Sequence, residues 1–215
     1  CAPDEEQSGM GHALTLTRPV RLRQYGERRF AVTGTPTDSV TMGLRNVIDG
    51  VPDLILSGVN RGANIAEDTS FSGTIAAALF GMQLGIPSIA LSQSQSFRER
   101  GSLPWDTARA WGSKAIKPLI EHGWPGDAVM NVNFPDVEPD EVKGIQITRQ
   151  GFRDESIIHT DRREDLRGND YYWIGYKGKL SKPDAGTDLR AIYDGYVSIA
   201  PLHVDLTHEE ILRKL

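Results

Sequence analysis

The residues best suited to chemistry lie between Leu54 and Thr74, in the stretch LILSGVNRGANIAEDTSFSGT. A short apolar run ends at Leu56, and glycine, asparagine, serine and threonine follow up to a small-residue segment of helical character. Gly58 and Gly62 permit backbone conformations and close approaches that side chains block. Ser72-Gly73-Thr74 places hydroxyls and free N–H groups at a helix start, where orphan donors and the helix dipole both favour an anion; phosphate is the natural guest. Asn60 and Asn64 bring side-chain carbonyls and amides that can ligate a hard cation or donate to phosphate oxygens. The same asparagines and serines also read as residues that satisfy turn backbone and cap the next helix, and composition alone leaves both readings open. The stretch is not a nucleotide P-loop, because the Walker lysine pattern is absent and no GxGxxG follows a strand.

Weaker candidates surround it. Ser8, in DEEQSGMGH, sits in a loop and reads either as a ligand or as a turn serine. Asp38, in GTPTD, is favourable near a helix N-terminus whether it caps the helix or lines a ligand site. NVNFP, residues 131–135, alternates polar and apolar residues up to a proline and is accounted for by a strand end. His12 and His203 can serve as acid or base, but none of the five histidines has metal-like spacing to another histidine or to the cysteine.

These residues need elements to hold them. From Leu14 the pattern LTLTRPVRLRQYGERRFAVTG alternates on both sides of Tyr25-Gly26-Glu27, which predicts a strand, a turn and a returning strand. Thr35-Pro36-Thr37-Asp38 supplies capping residues and a first-turn proline for a helix carrying Val40, Leu44, Val47 and Ile48 on one face. Pro52-Asp53 opens an apolar run ending at Ser57-Gly58, the pattern of a strand buried on both faces. Ser72-Gly73-Thr74 caps a helix through IAAALFGMQLG, and SIAL follows as a second buried strand, so strand, loop, helix and strand form a right-handed βαβ unit. A helix is predicted from Trp105 to about Ile120, strands at AVMNVNF and GIQIT, a charged excursion between Arg149 and Asp170, and strands at YYWIGY and GYVSIA. In the tail DLTHEEILRKL, Thr207 and Glu210 have capping-box spacing, which predicts a short terminal helix. Alternating strands and helices in the first half argue for an open α/β fold with a mainly parallel sheet between helices.

The totals fit a globular enzyme or binding domain. The chain has 215 residues, 39% apolar and 25% charged, and a formal charge of −5 spread along its length. No single-sign field is available to hold a nucleic acid duplex. The lone cysteine, Cys1, allows no intrachain disulfide, which fits a reducing cytoplasmic setting. No apolar stretch approaches the roughly 20 residues that span a bilayer. CAPD, residues 1–4, reads as a strand end entering a loop, so a preceding segment is expected.

Taken together, EQSG with GHALTLTRP, GTPTD, SGVNRGAN, FSGT, NVNFP and the ending GYVSIAPLHVDLT resemble, in order, the SurE survival-protein nucleotidases. The resemblance implies a metal-dependent phosphatase acting on nucleoside 5′- and 3′-monophosphates, with Mg²⁺ or Mn²⁺, on a Rossmann-like core. It also implies a projecting β-hairpin, within an excursion of about 149–200, and an exchanged C-terminal segment, residues 203–215, that build a homodimer or homotetramer from single α/β domains. By the same resemblance Ser8 and Asn60 are metal ligands, while Asn64 and the Ser72-Gly73-Thr74 turn face the phosphate. The family's Asn-Asp-Asp-Gly motif, whose aspartates are its principal metal ligands, has no counterpart here, and without it the metal site holds only neutral ligands. Ser39 stands where the family commonly has cysteine, and Glu5 and Glu6 where many members carry arginine. Two other classes of function fit the same loop: a Rossmann-like module that binds nucleotide or phosphate without hydrolysis, and a structural subunit in which the asparagines only cap turns.

Overall fold

Two strands buried along their whole length, β5 (Ser88–Gln93) and β6 (Val129–Phe134), pair in parallel at the centre of the protein. The structure, a computed structural model, describes residues 1–95, 105–154, 158–176 and 181–215. Side chains alternate across a strand. Ile89 and Leu91 therefore join one core cluster, with Ala108 and Ala115 of α3 (Asp106–His122), while Ala90 joins another on the opposite face, with Ile75, Ala78 and Met82 of α2 (Gly73–Gln83). Helices thus cover both faces of the sheet, which is the expected α/β arrangement.

The central sheet runs in the order β4-β5-β6-β10-β7, where β4 is Ile55–Arg61, β7 is Ile145–Ile147 and β10 is Val197–Leu202. All neighbours are parallel except β10 against β6. A smaller sheet, β1-β3-β2, joins Ala2–Pro3 to the hairpin Leu22–Gly26 and Arg29–Val32. A cavity of about 820 Å³ separates the two sheets, lined by Ala2 and Pro3 of β1, Leu56 to Asn60 of β4, Pro36 and Val40 of α1 (Pro36–Asn46), and Thr74 and Ala77 of α2.

Several elements differ from their sequence expectations. Among the described residues β4 borders only β5, and Leu56 is 49% exposed, so β4 is not buried on both faces as expected. It also continues past Gly58 to Arg61, with a shift of register between Ser57 and Asn60, so Asn60 belongs to a strand end. The first strand expected from Leu14 begins only at Leu22, because Thr15 and Ala13 are bonded to α1 instead of to a strand partner. The charged excursion contains a strand of its own, β8 (Ile158–Glu164), which pairs antiparallel with β9 (Asp170–Tyr176) and exposes Tyr171, Trp173 and Ile174. In the tail, α5 (Glu209–Leu212) is capped by His208, whose ring accepts the Ile211 N–H, and not by Thr207. No helix among the described residues is long and apolar enough to cross a membrane.

α2 lies close on the sheet because its interior carries Gly81: a Cβ there would stand 2.5 Å from Ser88 Oγ and 2.6 Å from Ile55 Cδ1. Gly81→Ala is expected to lower stability by about 1–3 kcal/mol through overpacking, read as a lower urea midpoint. An unaltered midpoint would show that the helix can lift off the sheet without loss.

Candidate functional site

The helix start expected at Ser72-Gly73-Thr74 forms. Ser72 is the N-cap of α2, and its Oγ accepts the Ile75 N–H at 3.1 Å. That bond leaves the first-turn N–H groups of Gly73 and Thr74 without partners inside the helix. Gly73 is required for packing: a Cβ would meet Pro36 Cγ at 2.7 Å, so the start of α2 is wedged against the start of α1. Thr74 lines the cavity between the sheets, and so does Asn60 from the end of β4. The Asn60 amide nitrogen donates to Gly62 O at 2.8 Å and Arg61 O at 3.3 Å, which commits that half of the side chain to the turn.

Asn64 is placed differently. It is buried, its main-chain N–H donates to Asn133 Oδ1 at 2.8 Å, and its side-chain amide donates to Ser92 Oγ at 2.7 Å. Its carbonyl accepts from Asn131 Nδ2 at 2.8 Å and Asn133 Nδ2 at 3.2 Å. It therefore stands behind the turn, anchored to the strand ends, and is absent from the cavity wall formed by Asn60 and Thr74.

Ser8 is exposed, and its hydroxyl donates to Glu6 Oε1 at 2.7 Å. Its loop is nevertheless tied to the site, since the Gly11 N–H donates to Phe71 O at 3.0 Å, one residue before the Ser72 cap. The GTPTD segment is a helix cap. Thr35 and Asp38 form a reciprocal capping box, Asp38 also accepts the Thr15 N–H at 3.1 Å, and Thr35 Oγ1 donates to Ala13 O at 2.7 Å. His12 meets Phe80 edge to face at 6.5 Å, and burial lowers its pKa; His203 is exposed beyond β10.

A family model described as Survival protein SurE matches residues 1–156. A 5′-nucleotidase SurE from Hyphomonas neptunium is 74% identical over 214 residues, covering 100% of this chain and 85% of the relative. Its counterpart from Caulobacter vibrioides is 56% identical over 217 residues, covering 100% and 82%. The crystal structure of the SurE protein from Aquifex aeolicus superposes with a TM-score of 0.82 at 37% identity, covering 99% of this chain and 85% of that one. The chain belongs to the SurE family.

Within this SurE chain the sequence reading missed the anchors of the site. Asp188, fully buried, accepts N–H groups from Ala66 at 2.9 Å, Gly151 at 2.8 Å and Leu189 at 2.7 Å. Burial raises its pKa, against the lowering effect of those bonds and of the Arg153 charge. Arg153 binds Glu67 at 3.0 Å and Asp68 at 2.6 Å, clamping the 3-10 turn Ala66–Phe71 that leads into Ser72. Only the Asn131-Val132-Asn133 alternation could have signalled any of this, because two amides on one face of a buried strand demand polar partners.

The donors expected to hold a divalent cation, Ser8 and Asn60, are both neutral, and no group of three or more His, Cys, Asp or Glu side chains suited to a metal occurs among the described residues. By themselves these two oxygens do not fit a hard cation, which requires carboxylate oxygen. Ser39, in the position of the family's cysteine, is buried, and its Oγ donates to Thr35 O at 3.0 Å within the capped turn of α1.

Asp38 gives the α1 cap a pH signature. Burial pushes its carboxyl up, but the hydrogen bonds from Thr15 and Thr35 outweigh this and hold it below the ordinary carboxylate value. A depressed folded-state pKa contributes stability that is present above the unfolded value and lost as the pH falls through the folded one. Asp38→Asn should therefore cost stability at pH 6, with a gap to the parent that narrows below about pH 4. Urea denaturation at both pH values checks it; a gap independent of pH would exclude the ionised cap.

Proposed function

We propose that this SurE protein is a phosphomonoesterase that hydrolyses nucleoside 5′- and 3′-monophosphates to nucleoside and inorganic phosphate. The observation that carries the reading is the start of α2, wedged by Gly73 against Pro36, with Thr74 and Asn60 on one cavity wall. The two relatives named above are both 5′-nucleotidases, which supports hydrolysis over binding alone. In this reading the free N–H groups of Gly73 and Thr74 and the Thr74 hydroxyl hold the phosphate oxygens, and developing charge on those oxygens strengthens the bonds in the transition state. The capped Ser72 fixes the direction of those donors, and Asn64 holds the loop that delivers them. Water attacks phosphorus, the P–O bond to the nucleoside breaks, and the leaving oxygen takes up a proton.

Ser8 and Asn60 would supply only neutral oxygens to a divalent cation, Mg²⁺ or Mn²⁺, whose carboxylate ligands the described residues do not group. When bound, the cation polarises the phosphate and lowers the pKa of its water. The lone cysteine suits a cytoplasmic setting. The aromatic face of the β8–β9 hairpin and the apolar tail, with Leu206 and Leu215 exposed, suit assembly into a homodimer or homotetramer.

The test is phosphate release from nucleoside 5′- and 3′-monophosphates with Mn²⁺ or Mg²⁺, by this chain and by one carrying an N-terminal Asn-Asp-Asp-Gly strand. Turnover that chelation abolishes is expected in the extended chain. Asn60→Ala in that form should raise the metal concentration for half-activation about tenfold or more and lower turnover with it. Turnover near normal with unchanged metal dependence would remove Asn60 from the site, and silence in both chains, with the extended one folded, would overturn the hydrolase reading.

A further inference from the structure

Asn64 lies on a segment that is neither α-helix nor strand, yet it is only 8% exposed. Both of its main-chain groups are bonded to side chains, not to backbone: the N–H to Asn133 Oδ1 and the C=O to Asn131 Nδ2 and Asn133 Nδ2. Asn133 thus grips the peptide groups of Asn64 from both sides, as a neighbouring strand would. Asn131 and Asn133 are two apart on β6 and share the face turned towards α2. Ser92 is the register partner of Asn133 on β5, and its Oγ takes one hydrogen of the Asn64 amide at 2.7 Å. The three partners are all fully buried and lie at the ends of the central strands. An asparagine amide can turn over and exchange its oxygen for its nitrogen. The Ser92 hydroxyl can donate or accept and so meets the amide in either orientation, while the Asn133 grip sets where the segment stands.

We propose that Asn133, with Asn131 and Ser92, is a positioning residue for the hydrolysis, holding the Asn64 peptide groups and so the path of the chain into the phosphate turn. The proposal rests on the phosphatase reading. Its mark is a loss of nucleotide turnover with the metal requirement unchanged, since the Asn60 side chain donates to Arg61 O and Gly62 O although its backbone faces Ser92 in register across β4 and β5.

The test uses whichever form of the protein turns over a nucleoside 5′-monophosphate. Asn133→Asp keeps an acceptor for the Asn64 N–H but replaces the donor to its carbonyl with oxygen. Its kcat/KM is expected to fall about tenfold or more, as misplacement of a positioning group does, with the metal concentration for half-activation unchanged. On an Asn64→Ala background the same substitution should cost as much again, because the peptide groups that Asn133 grips remain; a role exercised through the Asn64 side chain would cost nothing further. If Asn133→Asp shows no cooperative thermal transition, Asn131→Asp carries the test. It removes one of the two donors to the Asn64 carbonyl and should lower kcat/KM in the same way. An unchanged kcat/KM in the folded variants, or a shifted metal requirement, overturns the proposal while leaving the phosphatase reading in place. No turnover and no nucleotide binding by the parent, extended chain included, removes both.

Discussion

Residues 64–66 cross the ends of the central strands in a buried path, and every buried N–H and C=O on such a path needs a partner. Regular secondary structure cannot supply them there, so side chains do. Asn131 and Asn133 serve the peptide groups of Asn64, and Asp188 serves the N–H of Ala66, whose φ of 53° bends the chain into the following 3-10 turn. Leaving one such group unpaired costs about 1–3 kcal/mol. Three long-range anchors therefore decide where a short polar segment runs. From Ala66 the chain reaches Ser72 in a single 3-10 turn that Arg153 holds through Glu67 and Asp68, so the placement of the phosphate turn follows from the placement of Asn64 and Ala66.

The other wall of the site is set by contact between two helix starts. α1 begins with a reciprocal cap in which the Asp38 N–H donates to Thr35 Oγ1 and the Asp38 carboxylate accepts the Thr35 N–H. α2 begins with a serine cap that accepts the Ile75 N–H. The two helix starts touch through Pro36 and Gly73, and the Asp38 carboxylate at the first makes it the poorer place for an anion. The loop carrying Ser8 is stitched across both, to α1 by the Thr15 N–H and Thr35 hydroxyl and to the residue before Ser72 by Gly11. A cavity then opens beside the edge of β4 that no described strand pairs, and Asn60 and Thr74 both line it.

Much of this was legible in the sequence, for physical reasons that differ from residue to residue. Thr35-Pro36-Thr37-Asp38 and Ser72-Gly73-Thr74 announce helix starts because capping is local: donor and acceptor lie three residues apart. SIAL and AVMNVNF announce buried strands because burial on both faces leaves a continuous apolar run. The exposed edge of β4 was hidden, since LILSG looks the same whether one edge or both are paired. β8 was hidden as well: a hairpin standing away from the core has no apolar face to maintain, so HTDRRE is charged throughout. Within the site, Asn64 reads as a ligand from composition, but its role depends on partners 28, 67 and 69 residues away, which no local pattern contains. Asp188 gives no signal either, because a carboxylate after Thr187 reads as an ordinary first-turn residue of α4 (Asp188–Tyr193).

In the proposed site, charge argues for a cation. A phosphomonoester brings about −1.5 to −2 charges near neutral pH, and a helix start offers only about +0.5 in return. Ser8, Asn60, Asn64 and Thr74 are neutral. Arg153, the basic group nearest the loop's anchors, is occupied by Glu67 and Asp68, and Arg61, beside Asn60, is exposed and donates to Gln95 at 3.3 Å. The geometry orients phosphate oxygens without neutralising them. Carboxylates added to this wall alone would make the deficit worse, whereas carboxylates carrying a divalent cation would reverse it, drawing the phosphate and the neutral oxygens of Ser8 and Asn60 to one point. Neutral oxygens suit that task because they complete the coordination of a cation without cancelling the charge that the phosphate requires.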